Sequence, residues 1–297
     1  MLTQFFGSYL IDKNIITSEQ LLEALRYKNA HSKKLGDLAV AAGYMSKDES
    51  DEVHTMQTQS DKKFAEIAVH MGYLTVAQAD ELINAQHTGY LLLGNSLIEL
   101  GFCSQETITK AIADYEFDYQ LSFSTILNSD SDKQAEMIQN YYHFPETDEI
   151  NPIKKYATLL LKDLIRFIGG DFRLLAKVDS IPDTLPNMIE VHQKLFGKYN
   201  FNTSIIGFRD FIVQFAARYA CVEFDELDEF ADASLQDFLN LHNGIYTVTM
   251  SNEHGIEYEL SPTETNPYTG GKKWDYILPI EFTFGTIYFC ASQEETE

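Results

Sequence analysis

The sequence predicts an α+β protein in two parts, an all-α repeat module followed by an α/β sandwich with a pseudo-two-fold internal duplication. Three observations predict it. A repeat of period 29 runs through the first 118 residues, helical and strand-like stretches alternate from 151 to 293, and an acid-to-glycine spacing of seven recurs in two helical segments of that second part.

In the repeat module, residues 1–118, Gly7, Gly36, Ala65 and Gly94 share one column, and Asn14, Gly43, Gly72 and Gly101 share another, seven residues on. Short apolar helical turns such as Leu38-Ala39-Val40 and Ile67-Ala68-Val69 lie between the columns. After the second column comes an apolar plug, as in Tyr44-Met45 and Tyr73-Leu74, and then an N-cap: Thr17, Ser46, Thr75 or Ser104. Gln20, Glu49 and Gln78 stand three places beyond three of these caps and complete the capping-box pattern. Each repeat thus reads as a short helix, a turn at Gly or Asn, a plug and a longer capped helix. Asn replaces Gly readily where a turn needs a positive φ. Four such helical pairs, packed together, make an all-α module.

Residues 119–150 read as a connector. Asn128-Ser129-Asp130-Ser131-Asp132 begins like a calcium loop, but it lacks the central glycine and has Gln139 where the closing glutamate belongs. A solvated turn-rich stretch is the better reading. Tyr141-Tyr142-His143-Phe144-Pro145 is apolar enough to pack on one of the two domains.

The second domain, residues 151–293, begins with a helical segment from Ile153 to Ile168. Strand-like Asp171 to Val178 and Phe201 to Ile206 follow, then helical Asp210 to Tyr219 and a charged connection from Glu223 to Asp232. A further helix, strand-like Ile256 to Leu260 and a closing hairpin around Gly285 complete it.

That further helix carries Asp237-Phe238-Leu239-Asn240-Leu241-His242-Asn243-Gly244, in which an acid, an amide and a glycine at positions 0, 3 and 7 line up on one helical face. Leu235, Phe238, Leu239, Ile245 and Val248 are expected on the buried side, which turns Asp237 outward. Gly244 admits the close approach of another backbone, although glycine costs a helix about 1 kcal/mol relative to alanine. Bland roles stand beside this one: Ser234 and Asp237 have capping-box spacing, and Gly244 suits a close contact with a neighbouring helix. His242 reads as a packing or surface residue. Asp163-Leu164-Ile165-Arg166-Phe167-Ile168-Gly169-Gly170 repeats the acid at 0 and the glycine at 7, with Arg166 in the place of the amide. It reads as a degenerate second copy, with Asp163 and Gly170 as docking residues.

The motif and the order of elements around it resemble the CheX/CheC/FliY family of chemotaxis phosphatases, whose signature is Glu-x-x-Asn-x-x-x-Gly on exposed helices. The resemblance covers about half the chain. It implies a CheX-like domain that hydrolyses the aspartyl phosphate of a response-regulator receiver domain in two-component signalling. Asn240 would orient the attacking water, and Asp237 would clamp a lysine of the receiver. No cofactor would be bound by this chain, because the receiver supplies Mg²⁺. Asp237 is one methylene shorter than the family's glutamate, and Arg166 leaves at most one working site per chain. Family members commonly pair through sheet edges, which makes a homodimer an expectation. The alternative is a scaffold that binds the phosphorylated receiver without hydrolysing it.

The repeat module resembles the N-terminal repeats of type II secretion and type IV pilus ATPases, the group of the MshE N-terminal domain. Some of these bind cyclic diguanylate. Lys34, Leu35, Gly36, Gly43 and Gln57 in the second repeat, and Gly72 and Gln86 in the third, stand at the matching positions. Lys34 replaces an arginine there, a point charge in place of a planar fork that stacks on guanine. The module is thus either a nucleotide receptor or a purely structural or protein-binding unit.

Composition excludes several classes. A formal charge of −23 over 297 residues argues against nucleic acid and anionic membrane as partners. Cys103, Cys221 and Cys290 are odd in number and far apart, so neither a disulfide framework nor a zinc site is expected. No stretch approaches the roughly 20 apolar residues of a spanning helix. Nothing at Met1 to Ile16 reads as a signal peptide, so the expectation is a soluble cytoplasmic protein. Gly270-Gly271-Lys272-Lys273 lacks the frame of a phosphate loop and reads as a turn.

Overall fold

Asn14, Gly43, Gly72 and Gly101 all take the left-handed backbone conformation, at φ of 55°, 71°, 79° and 75°, and each ends the short helix of its repeat. The protein is described here from a computed structural model covering residues 2–31, 34–58, 62–85, 89–119, 131–144, 152–181 and 187–294. The chain divides into two units, Leu2–Gln134 and Ala135–Glu297.

The first unit holds the four repeats as α1 (Leu2–Asp12) with α2 (Ser18–His31), α3 (Leu35–Ala41) with α4 (Lys47–Gln57), α5 (Phe64–His70) with α6 (Val76–Ala85), and α7 (Gly89–Glu99) with α8 (Gln105–Asp118). The caps form as the spacing requires. Ser46 Oγ accepts from the Glu49 amide at 3.2 Å while Glu49 Oε2 accepts from the Ser46 amide at 2.7 Å. Thr17 with Gln20 and Thr75 with Gln78 make the same reciprocal pair, and Ser104 caps through the Thr107 amide.

The three glycines of the first column serve packing within their pairs. A Cβ at Gly7 would strike Leu21, at Gly36 Ser50 and the Phe64 ring, and at Gly94 Ile108. The small Ser50 is thereby explained, since it faces Gly36 across the two helices. The repeats associate unevenly: α1 and α2 pack on α7, with α8 against α1 and α7, while α3 to α6 pack on one another around Ala39, Val53, Ala68 and Leu82. Repeat one therefore partners repeat four.

Nothing lies within 4 Å of a Cβ built at Gly72, so a side chain there meets a conformational penalty alone. Gly72→Ala is expected to destabilise the module by about 1–2 kcal/mol. Gly72→Asn is expected to cost less, because asparagine tolerates this region. Urea unfolding followed by circular dichroism checks the order; equal losses would refute this account of the turn.

Helix α9 (Ser131–Tyr142) spans the division between the units, and from Ala135 on it belongs to the second and not to a connector. Tyr141 donates to the Leu174 carbonyl at 2.9 Å and Phe144 meets Tyr276 at 4.9 Å between ring centres. The connector expected over 119–150 is thus only partly a connector, and Asn128 to Asp130 lie outside the described residues. Next come α10 (Pro152–Asp163), continued by a π-helical turn over Leu164–Ile168, then β1 (Phe172–Leu174), β2 (Met188–Gly197), β3 (Asn200–Phe208) and α11 (Arg209–Ala220). The 26-residue α12 (Glu229–His254), β4 (Tyr258–Leu260), β5 (Glu264–Pro267), β6 (Tyr276–Phe282) and β7 (Gly285–Glu294) complete the unit. Strands β2 and β5 were not expected from the sequence.

The strands form an antiparallel sheet in the order β1-β6-β7-β3-β2-β4, with β5 also on the outer edge of β2. Exchanging β1 with β4, β2 with β6 and β3 with β7 reproduces that order, which is the pseudo-two-fold relation expected of a duplication. Helices α10, α11 and α12 pack together, and α11 and α12 lie against the sheet. Along β2 the odd-numbered Ile189, Val191, Gln193 and Leu195 are placed by strand alternation toward this helical layer. Met188, Ile206, Ile277 and Cys290 form a smaller apolar cluster with Ile181, on the other face.

Candidate functional site

The motif residues lie near the middle of α12, well away from its start. Asp228 caps this helix by accepting from the Ala231 amide at 2.8 Å. Ser234 lies inside it, donating to the Phe230 carbonyl, so the capping-box role for Ser234 and Asp237 is overturned. Leu235, Phe238, Leu239 and Ile245 are buried as the periodicity requires. Val248 is not: it is 49% exposed, because it lies eleven residues beyond Asp237 and returns to the same outward face.

Asp237 and Asn240 are both exposed, and a Cβ built at Gly244 meets nothing within 4 Å. The close-packing role for Gly244 inside this chain is thereby overturned; the space in front of it is open. One helical face thus presents Asp237, Asn240, Gly244 and Val248 in succession, with Phe230, 77% exposed, about two turns toward the N-terminus.

Each polar group on this face is held from behind. Tyr219, on α11, donates its hydroxyl to Asp237 Oδ2 at 2.6 Å. Burial, then the Asp237 carboxylate itself, push the Tyr219 phenol above its ordinary range, so it stays a donor to Asp237. Asn240 Oδ1 accepts from Gln193 Nε2 at 2.9 Å, across from β2. Gln193 also donates to the Ser261 carbonyl at 2.7 Å, and its Oε1 accepts from Asn243 Nδ2 at 2.8 Å. Asn243 Nδ2 reaches Thr203 Oγ1 at 3.0 Å as well. Gln236 bonds Thr263 and Thr265, which ties the same helix to the β4–β5 connection and to β5.

The second copy behaves differently. Asp163 is fully buried, with its Oδ2 2.7 Å from His242 Nδ1 in a hydrogen bond, so it is no surface docking residue. Gly170 lies beyond the helix, which ends at Ile168, and so shares no helical face with Asp163. The register explains the failure. Asp163 stands nine residues before β1, whereas Asp237 stands twenty-one before β4. Counted back from those strands, the counterparts of Asn240 and Gly244 are Lys154 and Thr158. Lys154 bonds Gln139 of α9, and Thr158 is buried, so the equivalent face of α10 is covered by the chain itself. His242 is buried against Asp163 and the edge of Tyr156, a packing position as expected from the sequence.

In the repeat module, Lys34 is exposed at the N-cap of α3, and Leu35 and Gly36 open that helix. Gly36 is occupied by the contact with Ser50, and Gln57 is buried with its amide donating to the Lys62 carbonyl. Gly43 and Gly72 are exposed turn residues; Gln86 lies outside the described residues. The structure thus gives Gly36, Gly43, Gln57 and Gly72 folding roles.

Among the described residues no group of three or more His, Cys, Asp and Glu is placed to hold a metal ion, and no helix is long and apolar enough to cross a membrane. Sequence reasoning missed Gln193, Tyr219, Asn243 and Thr203. A glutamine in an inward position of an alternating strand was the one available signal, and it needed β2 to be recognised first.

Neither a scan against protein-family models nor a comparison with curated proteins gives a match. Solved structures do show a likeness. A CheC-like superfamily protein from Shewanella sp. PV-4 is 14% identical, with 49% of this chain and 99% of that chain covered at a TM-score of 0.42. The chemotaxis protein CheX from Vibrio vulnificus is 11% identical, covering 48% and 99% at 0.41. A CheX–CheY–BeF3–Mg complex from Borrelia burgdorferi gives 15% identity, 50% and 100% coverage, and 0.37. At these scores the likeness does not decide what this chain does.

Proposed function

We propose that this protein dephosphorylates the receiver domain of a response regulator, with Asn240 orienting the attacking water and Asp237 engaging a cationic group of the receiver. The observation that supports it most is the exposed Asn240 amide, anchored through Gln193 to the sheet and flanked by an outward acid and an open glycine. An acyl phosphate is already activated, and a receiver brings its own Mg²⁺ and lysine, so the helper protein has only to place water in line with phosphorus. A carboxamide suits that task because it offers a donor and an acceptor without adding charge beside a phosphoryl group. The Tyr219 bond to Asp237 holds the shorter acid at a defined place on the helix face.

The direct test follows the decay of a panel of phosphorylated receivers with and without the protein. Acceleration of at least one receiver is expected. A full panel decaying at intrinsic rates, with no change on adding the protein, would refute the reading.

A further inference from the structure

We infer that Gln193 is a positioning residue that dictates which end of the Asn240 amide faces the partner. The consequence for turnover rests on the phosphatase reading above; the orientation itself does not.

Backbone carbonyls have a polarity beyond choice, since they can only accept. Gln193 Nε2 lies 2.7 Å from the Ser261 carbonyl, so the NH₂ end of the Gln193 amide must point that way. The same NH₂ faces Asn240, which must therefore turn Oδ1 toward it, at 2.9 Å. A second carbonyl fixes the other end of the chain. Thr203 Oγ1 donates to the Gln193 backbone carbonyl at 2.9 Å, leaving its lone pairs to accept from Asn243 Nδ2. That NH₂ also reaches Gln193 Oε1, in agreement with the direction of the Gln193 amide. Two backbone carbonyls thus propagate one polarity through Thr203, Asn243 and Gln193 to the surface.

Gln193 is 1% exposed and touches no partner itself, so it acts only through Asn240. With Oδ1 held inward, Asn240 offers its Nδ2 hydrogens to the docked receiver. The residue then donates to the water or to a phosphoryl oxygen, while one lone pair of Oδ1 remains to accept. An amide held by a buried partner starts in its working rotamer, where a free surface asparagine would sample several.

The test uses the full chain with Gln193→Met and Gln193→Leu, both of similar volume and neither able to donate. Two variants guard against a folding defect in one. In ¹⁵N-labelled protein the Asn240 carboxamide signals, identified by their loss in Asn240→Ala, are expected to move toward random-coil positions in both variants. Signals that stay at their native positions would overturn the inference. On a receiver the native chain turns over, each variant is expected to lower kcat about 10- to 100-fold with KM within about threefold, as loss of alignment does. In the Asn240→Ala background the same substitutions are expected to cost nothing further. An equal loss in both backgrounds would show a merely structural role and overturn it. If the native chain turns over no receiver, the phosphatase reading fails, and the carboxamide signals still decide the positioning.

Discussion

Gly244→Trp is expected to abolish receiver dephosphorylation while leaving the protein at least as stable as the native chain. The two halves of that expectation have separate physical causes. Glycine is among the poorest residues in a helix interior, about 1 kcal/mol below alanine, so a substitution that meets no neighbour should strengthen α12 slightly. Gly244 qualifies, because a Cβ there would meet nothing within 4 Å and it has no positive φ to lose. A partner whose phosphoryl group must come within reach of Asn240, one turn away, would meet the indole first. A displacement of about 1 Å costs on the order of 10²-fold in such a site, so kcat/KM should fall by at least that factor. Thermal melting and turnover measured on the same preparation check both halves. Undiminished turnover would mean that the partner does not approach over Gly244.

The other large effect is expected behind the site. His242→Ala is predicted to destabilise the second unit by about 3–5 kcal/mol, the range for removing one member of a buried pair. His242 Nδ1 and Asp163 Oδ2 are 2.7 Å apart and both residues are fully buried, while Asp163 Oδ1 has no hydrogen-bond partner among the described residues and Arg166 lies 3.9 Å from it. Taking away the imidazole leaves both carboxyl oxygens of the buried Asp163 without a hydrogen-bond partner among these residues. Replacing both residues with leucine should restore much of the loss, since a pair of apolar groups leaves nothing unsatisfied. Denaturant unfolding of the two single variants and the double distinguishes the cases. A single variant within about 1 kcal/mol of native would contradict the pairing drawn here.

The repeat module was legible because each of its signals is local. A positive-φ residue and an N-cap fall as the columns imply in all four repeats, and in three of them the capping-box partner follows within six residues of the turn. The pairing of repeat one with repeat four was not, since it depends on contacts far apart in sequence. In the second unit periodicity marks the helix carrying Asp237, Asn240 and Gly244, but the apolar character of Val248 points to the buried side while its position on the helix puts it on the outward face. The supposed second copy at Asp163 shows the limit of motif spacing. Acid and glycine recur seven apart, yet the π-helical turn and the helix end at Ile168 leave them on no common face, and the true symmetry runs through a different register. The residues that hold the site, Gln193, Thr203 and Tyr219, come from two strands and a helix distant from the motif. Only tertiary structure brings a β2 glutamine to an α12 asparagine.

The central claim is that Asn240 acts on a phosphoryl group and is not merely part of a docking surface. The most direct test is the decay rate of a receiver that the native chain accelerates, measured with Asn240→Ala at concentrations that saturate binding. Loss of one preorganised polar group at a reacting centre typically costs about 10²–10³-fold, so acceleration should fall by that order while the receiver still binds. Acceleration that survives Asn240→Ala within about twofold would contradict the account and leave α12 as a docking face alone.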